Sequence, residues 1–360
     1  DNISIAGGEP LIHPNILEII AYIRSLKMKP LILTNGIRLE DDRPFMQEIK
    51  KAGAVGFTFH IDSEQQRPHW KGKSEIELFE LRQHFADMVK DVGGLFVSFG
   101  MTVYPGNLYM VPEMVKWANR NIDRVHGLVF IGFRNTLMEG SYDFYANGEK
   151  VDLKTSYAAD SSDESYLTSK DIYAEIKKHF PHYETSAYMG GTQVYDKMTW
   201  LVSAQLGNTG KMYGSVGKKV MELFQMFHHL QHGTYVVYSP SNRIPKIALL
   251  LGLIDRGVSE TSRNFWKDVL RHPTRLFKPL YVQSIGIIQG PDLLEDGRVD
   301  MCESCPDMTV WDGKLVHSCR MDEWRLYGSY IVPQRRQEAV NGVIAPEAIP
   351  VKSSDVIHSN

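Results

Sequence analysis

The alternation of apolar strands with amphipathic helices over the first 135 residues constrains this 360-residue chain more than any other feature. A strand is expected over residues 2–6 and a helix over 15–27, in which Ile16, Ile19, Ile20 and Ile23 recur at helical spacing. Further strands are expected over 30–34, 55–61, 95–103 and 127–133, with helices over 44–52, 75–92 and 111–119 between them. Repeating βα order of this kind builds a parallel sheet through right-handed crossovers. The polar stretch 136–165 loses the period and reads as a long surface loop. Helices over 169–179, 196–206, 217–231, 244–256 and 259–270 then make 136–290 a mainly helical region that could wall a substrate chamber. Residues 291–333 form a small cysteine module, and 334–360 read as a disordered tail.

Composition narrows the class rather than the function. Hydrophobic residues at 43% and charged residues at 23% are ordinary soluble values, and a formal charge of -3 gives no argument for nucleic acid or an anionic membrane as partner. No stretch of the given residues reads as a signal peptide or as an apolar run near the length that spans a bilayer. Cys302, Cys305 and Cys319 are an odd number of cysteines close together, which suits a metal site in a reducing, cytoplasmic setting better than a disulfide scaffold.

The first strand ends in Gly7-Gly8-Glu9-Pro10, and a helix follows shortly. Glycines at the carboxyl end of a parallel strand let a ligand meet main-chain groups without a Cβ in the way. Glu9 can accept from an ammonium or anchor the loop. The second strand closes on Thr34-Asn35-Gly36, which equally suits a plain turn. In the third, His60 and Asp62 alternate with Phe59 and Ile61, so they share one face as ligand contacts or as a structural pair. In the fourth, Ser98, Gly100 and Thr102 alternate with Val97, Phe99, Met101 and Val103, as in a strand facing a filled lumen.

Taken together, these strand ends resemble those of the radical S-adenosylmethionine (radical SAM) enzymes, whose first conserved turn is Gly-Gly-Glu-Pro. The resemblance implies an α/β fold, a partial (β/α)6 TIM-like barrel. It also implies S-adenosylmethionine as cofactor, its amino group held by Gly7, Gly8, Glu9 and Pro10 and the rest by Thr34, Asn35, His60, Asp62, Thr102, Asn107 and Ile131. Arg134, after the fifth strand, could meet a carboxylate but reads rather as a solvated strand end. Such enzymes hold a radical-generating 4Fe-4S cluster with a Cys-x3-Cys-x2-Cys loop ahead of this turn and draw an electron from a donor such as a flavodoxin or ferredoxin. No cysteine precedes Cys302 here, so the expectation is an N-terminally incomplete sequence that lacks the first strand and cluster loop and is inactive by itself.

For Cys302-x2-Cys305 and Cys319, two readings compete. An auxiliary iron–sulfur cluster would use three thiolates and a ligand from elsewhere, whereas zinc would use them with His317. The histidines 228, 229 and 232 read as a solvated helix end rather than a metal site. The rival to an enzyme is a non-catalytic barrel relic stabilised by zinc.

Overall fold

All five strands expected in the first 135 residues form, and each of the first four is followed by an α-helix that leads back to the next parallel strand. The structure is a computed structural model describing residues 2–65, 67–133, 142–155, 167–294, 298–305 and 307–335. In chain order the first units are β1 (Asn2–Ile5), α1 (Ile16–Ser25), β2 (Lys29–Thr34), α2 (Arg43–Ala52), β3 (Gly56–His60), α3 (Leu78–Val92), β4 (Phe96–Val103), α4 (Val111–Arg120) and β5 (Gly127–Gly132). Then come β6 (Tyr142–Ala146), β7 (Glu149–Val151), α5 (Ser169–His179), β8 (Ala187–Met189), β9 (Trp200–Asn208), β10 (Lys211–Ser215), α6 (Lys218–His232), β11 (Arg243–Ile244) and α7 (Arg256–Arg271). The chain continues through β12 (Leu280–Gln289), β13 (Asp292–Leu293), β14 (Val299–Asp300), β15 (Met308–Trp311), β16 (Lys314–His317), α8 (Met321–Tyr327) and β17 (Val332–Arg335).

The main sheet runs β1-β2-β3-β4-β5-β12-β9-β10 and is open. Strands β1 to β5 are parallel to their neighbours, and β12 extends the parallel set beside β5, with Ser284 opposite Gly127 and Gln289 opposite Gly132. The sixth parallel strand therefore comes from far down the chain. Strand β9 then pairs antiparallel with β12 over eight positions, from Tyr281–Gly207 to Ile288–Trp200.

Two expectations change here. The helix expected over 196–206 is instead strand β9, because pairing with β12 on one side and β10 on the other outweighs its weak local preference. The helix expected over 244–256 is a 3-10 stretch, Lys246–Leu253, and the α-helix starts only at Arg256, where the Asp255 carboxylate caps it by accepting from Val258 N at 2.9 Å. Region 136–290 thus contributes strands to the main sheet as well as helices. Of the tail, Gln334 and Arg335 lie in β17, which pairs with β6, while 336–360 lie outside the described residues, as do parts of the 136–165 loop.

The core lies between the sheet and helices α1 to α5, where alternate residues of β3 and β4, Phe57, Phe59, Val97 and Phe99, meet Phe85 and Trp117. Phe59 stacks on Phe85 at 4.4 Å and Phe99 meets Trp117 edge-on at 5.0 Å. This packing turns the other face of each strand away from the helices: Thr58, His60, Ser98, Gly100 and Thr102. Residues after α6 run across the N-terminal strand ends, with Asn242 Nδ2 donating to Ile122 O at 2.6 Å and Val282 N to Asn242 O at 2.8 Å. One end of the sheet is thereby sealed, and the other is left for the site.

Candidate cofactor and cluster site

At the C-terminal end of β1 the backbone is bare. Gly7 has φ +118°, a left-handed value that a side chain resists, and a Cβ at Gly7 or Gly8 would meet no atom within 4 Å. Glu9 turns back under this loop and ties it to β2. Its Oε1 accepts from Leu11 N at 3.0 Å and Thr34 Oγ1 at 2.6 Å, and its Oε2 from Asn35 N at 2.8 Å. Glu9 is an anchor, and Oε2 keeps one acceptor position for an ammonium. Pro10 opens the 3-10 turn behind it. Thr34 is buried, and its Oγ1 also accepts from Gly36 N at 2.9 Å, while Asn35 Oδ1 accepts from Ile37 N at 2.9 Å. The turn chemistry of Thr34-Asn35-Gly36 is real, and it leaves Glu9 fixed beside the open glycines.

His60, Asp62 and Thr102 meet at the ends of β3 and β4. His60 Nε2 lies 2.7 Å from Asp62 Oδ2 and 3.3 Å from Thr102 Oγ1, and Gly100 leaves the space beside Nδ1, where a Cβ would stand 3.3 Å away. Ile131 lies opposite Thr102 in register and is partly exposed. Asn107 spends its amide on its own turn, with Oδ1 accepting from Tyr104 N at 2.7 Å and Nδ2 donating to Thr102 O at 3.0 Å. Its side chain therefore shapes the loop. Arg134 lies outside the described residues.

Behind His60 and Asp62 stands a group of buried charges that sequence reading missed. Arg82 is fully buried; its Nη2 donates to Ile61 O at 2.7 Å and Glu75 Oε2 at 2.6 Å, and its Nη1 to Glu75 O at 3.0 Å. Glu75 Oε1 accepts from Ser63 N at 2.6 Å, and Arg67 Nη2 donates to His60 O at 2.8 Å. Burial pushes the pKa of both arginines down, with Glu75 opposing it at Arg82 and Glu40 and Asp62 opposing it at Arg67. One signal was available: Arg82 interrupts the apolar face of α3 between Leu81 and Phe85.

The cysteines sit past β12, at the same end of the sheet. Cys302, Cys305 and Cys319 line one hollow together with Gln289, Met301, Asp307 and His317. The loop 190–194 cradles the Cys302 turn: Glu303 N donates to Gly190 O at 2.8 Å and Thr192 N to Met301 O at 2.9 Å. Asp300 Oδ1 accepts from Gln193 N at 2.8 Å. Lys197 pairs with Asp292 and stands 3.8 Å from Asp300 Oδ2. A hydrogen bond from Cys305 and another from Thr199, set against burial, bring the Cys302 thiol down to about 7. The same Cys302–Cys305 bond and burial push Cys305 up, and burial pushes Cys319 up to about 11. Cys319 as a residue is exposed; it is the sulfur that the hollow desolvates. Among the described residues no three His, Cys, Asp or Glu side chains stand ready to share a single ion. Three thiols around one hollow are a donor set that either an iron–sulfur cluster or, with His317, a zinc ion can use. On α6, His228 Nδ1 accompanies Thr234 O at 2.6 Å and His229 stacks on Tyr235, so these histidines hold the helix end and its loop.

Comparison with known proteins gives one family match. Residues 1–118 match the family model of the Radical SAM superfamily. Among solved structures, the chain is similar to SuiB from Streptococcus suis bound to the precursor peptide SuiA, at 17% identity and a TM-score of 0.29 over 38% of this chain and 29% of that one. It is also similar to SuiB bound to S-adenosylmethionine, at 14% identity and a TM-score of 0.33 over 50% of this chain and 36% of that one. The chain thus spans about a third of the length of these neighbours. No curated protein matches it.

Proposed function

Since this chain belongs to the radical SAM superfamily through residues 1–118, we propose that it binds S-adenosylmethionine across the C-terminal ends of β1 to β5 as the cofactor part of a radical enzyme. The observation that carries the reading is the bare backbone of Gly7 and Gly8, held open by the threefold anchoring of Glu9. An amino group can sit against that backbone and the remaining acceptor position of Oε2. His60, Asp62, Thr102 and Ile131 line the neighbouring strand ends, within reach of the nucleoside part. Next to a reduced 4Fe-4S cluster, the chemistry this cofactor supplies is a 5′-deoxyadenosyl radical, for hydrogen abstraction from or addition to a substrate. The family's Cys-x3-Cys-x2-Cys loop is not among these residues, so this chain's own part is to bind, orient and exclude water.

Cys302, Cys305 and Cys319, which line one hollow, would hold an auxiliary iron–sulfur cluster, with zinc bound by the three thiolates and His317 as the alternative. Three unpaired cysteines fit a reducing cytoplasm, in which a flavodoxin or ferredoxin would donate the electron. No helix among the described residues is long and apolar enough to cross a membrane.

Titration calorimetry with S-adenosylmethionine tests the cofactor site. Gly8→Val should abolish binding while leaving the circular dichroism melt intact, since nothing in the protein stands within 4 Å of the new Cβ. Unchanged affinity would remove the assignment. Iron and sulfide analysis after anaerobic reconstitution should find one cluster at the three thiols, whereas stoichiometric zinc without visible absorbance would favour the structural relic.

A further inference from the structure

Helix α6 leaves most of its apolar residues uncovered. All fifteen of its residues are described, and Val220 alone is buried. Gln225 and His228 turn to its own return loop: Gln225 Oε1 accepts from Val236 N at 2.8 Å, its Nε2 donates to Val236 O at 3.2 Å, and His228 meets Thr234 O, while Lys218, Lys219, Glu222, His229, Gln231 and His232 are exposed. Its apolar side, Leu223, Phe224, Met226, Phe227 and Leu230, faces out with 52 to 80% of each residue exposed. A helix on the surface of a globular protein normally buries such a set of apolar residues.

The neighbouring elements repeat the pattern. Asp255 accepts from Gly217 N at 2.9 Å, Val220 N at 3.2 Å and Val258 N at 2.9 Å, which pins the starts of α6 and α7 together. The 3-10 stretch Lys246–Leu253, packed on α7, exposes Ile247, Leu250 and Leu253, and Phe277 projects after α7 at 84% exposure. A surface this apolar marks an interaction site. Its charge says with what. Residues 211–278 hold eleven Lys and Arg against four Asp and Glu, in a chain whose formal charge is -3. Of those four acids, Asp255 and Asp268 are buried as helix cap and ion-pair partner. Lys218, Lys219, Arg256, Arg263, Lys267 and Lys278 are exposed.

We propose that α6, the 3-10 stretch and the end of α7 form a peripheral docking surface for an anionic phospholipid bilayer. Projecting aliphatic and aromatic side chains enter the headgroup boundary while lysines and arginines reach the phosphates. A second copy fits worse, because a twofold interface would bring the same cationic patch against itself. Such a surface lies at the sealed end of the sheet and leaves the strand-end mouth free, so it is independent of the cofactor reading.

Flotation of the full chain with vesicles tests this. The chain should float with phosphatidylcholine–phosphatidylglycerol (3:1) vesicles and much less with phosphatidylcholine alone, and 0.5 M salt should weaken the binding. The triple variant Phe224→Glu, Phe227→Glu, Leu253→Glu should reduce the floated fraction at least about tenfold, with an unchanged melt because all three side chains are exposed. Lys218→Glu with Lys219→Glu should weaken binding by about fivefold or more for each charge lost. Failure of the wild type to float at low salt, or flotation of the triple variant like wild type, overturns the proposal. So would sedimentation equilibrium showing a dimer that these same substitutions dissociate, since the face would then belong to a second copy.

Discussion

The two ends of the parallel sheet are finished in opposite ways. At the C-terminal end the strands stop on bare glycines and side chains held in place by buried charge: Glu9 beneath β1 and β2, then Arg82, Glu75 and Arg67 behind His60 and Asp62. At the N-terminal end the strands are closed mainly by neutral hydrogen bonds, with the Lys29 ammonium also donating to Val237 O at 3.5 Å. Gln283 Nε2 donates to Ala118 O and Val125 O, Asn242 to Ile122 O, and His126 sits between Val97 N and Pro240 O. Buried charge tied down by several hydrogen bonds holds a fixed position at a high cost if disturbed, which suits groups that must face a ligand. Neutral bonds seal equally well at less risk. The mouth should therefore be the more fragile end, and substitutions can break that contrast.

The largest effect is expected at Arg82. Arg82→Leu leaves the Glu75 carboxylate buried without its cation, a loss of about 3–5 kcal/mol by urea denaturation. The double variant Arg82→Leu, Glu75→Leu should recover part of it, because it removes the unpaired charge. A single variant costing under about 1 kcal/mol would end the claim that this pair positions the β3 loop. Next comes Glu9→Ala, which strands three donors at the edge of solvent and should cost about 2–3 kcal/mol. It should also weaken S-adenosylmethionine binding, because the Gly7–Gly8 turn loses its tie to β2. At the opposite end, Gln283→Leu should cost less, about 1–2 kcal/mol: it forfeits two bonds to carbonyls but also removes an Oε1 that has no partner. If Gln283→Leu proves as damaging as Arg82→Leu, the two ends do not differ in kind.

How far these features could be read in advance depends on range. Strands β1 to β5 are buried runs flanked by their own helices, so pattern alone locates them. Strand β12 carries a strand signal too, Val282, Ile285, Ile287 and Ile288 between Pro279 and Pro291, but its partner β5 lies some 150 residues away, and nothing local announces that pairing. In β9, Ser203 and Gln205 are buried in a polar network with Ser215, so polar residues mark its inside and the period misleads. The mouth was legible because strand ends fall on one side of any parallel sheet. Asn107 was not, since an amide next to a strand end can serve a ligand or its own turn, and here it serves the turn. The formal charge of -3 concealed the local cationic excess around α6, because a sum carries no position.

The smallest effect sharpens the comparison from the sealed end. Val97 N can only donate, so His126 Nδ1 is the acceptor at 3.1 Å, and Nε2 then carries the proton toward Pro240 O at 3.0 Å. This neutral tautomer is what the plug requires, and burial lowers the pKa of His126 below its ordinary 6.5. In the unfolded chain the imidazole takes up a proton near 6.5, while in the folded chain it resists until lower pH. Between those values the unfolded state binds more protons, so stability rises with pH. The contribution is complete above about 6.5 and shrinks as pH falls below it toward the folded value. His126→Gln replaces the titrating ring with a group that has no proton to gain. Its stability at pH 7.5 should be lower than wild type by about 1 kcal/mol, and the difference should narrow between pH 6.5 and 5 in parallel melts. A difference that stays constant over that range would show that His126 is not held neutral, and that this part of the sealed end carries charge after all.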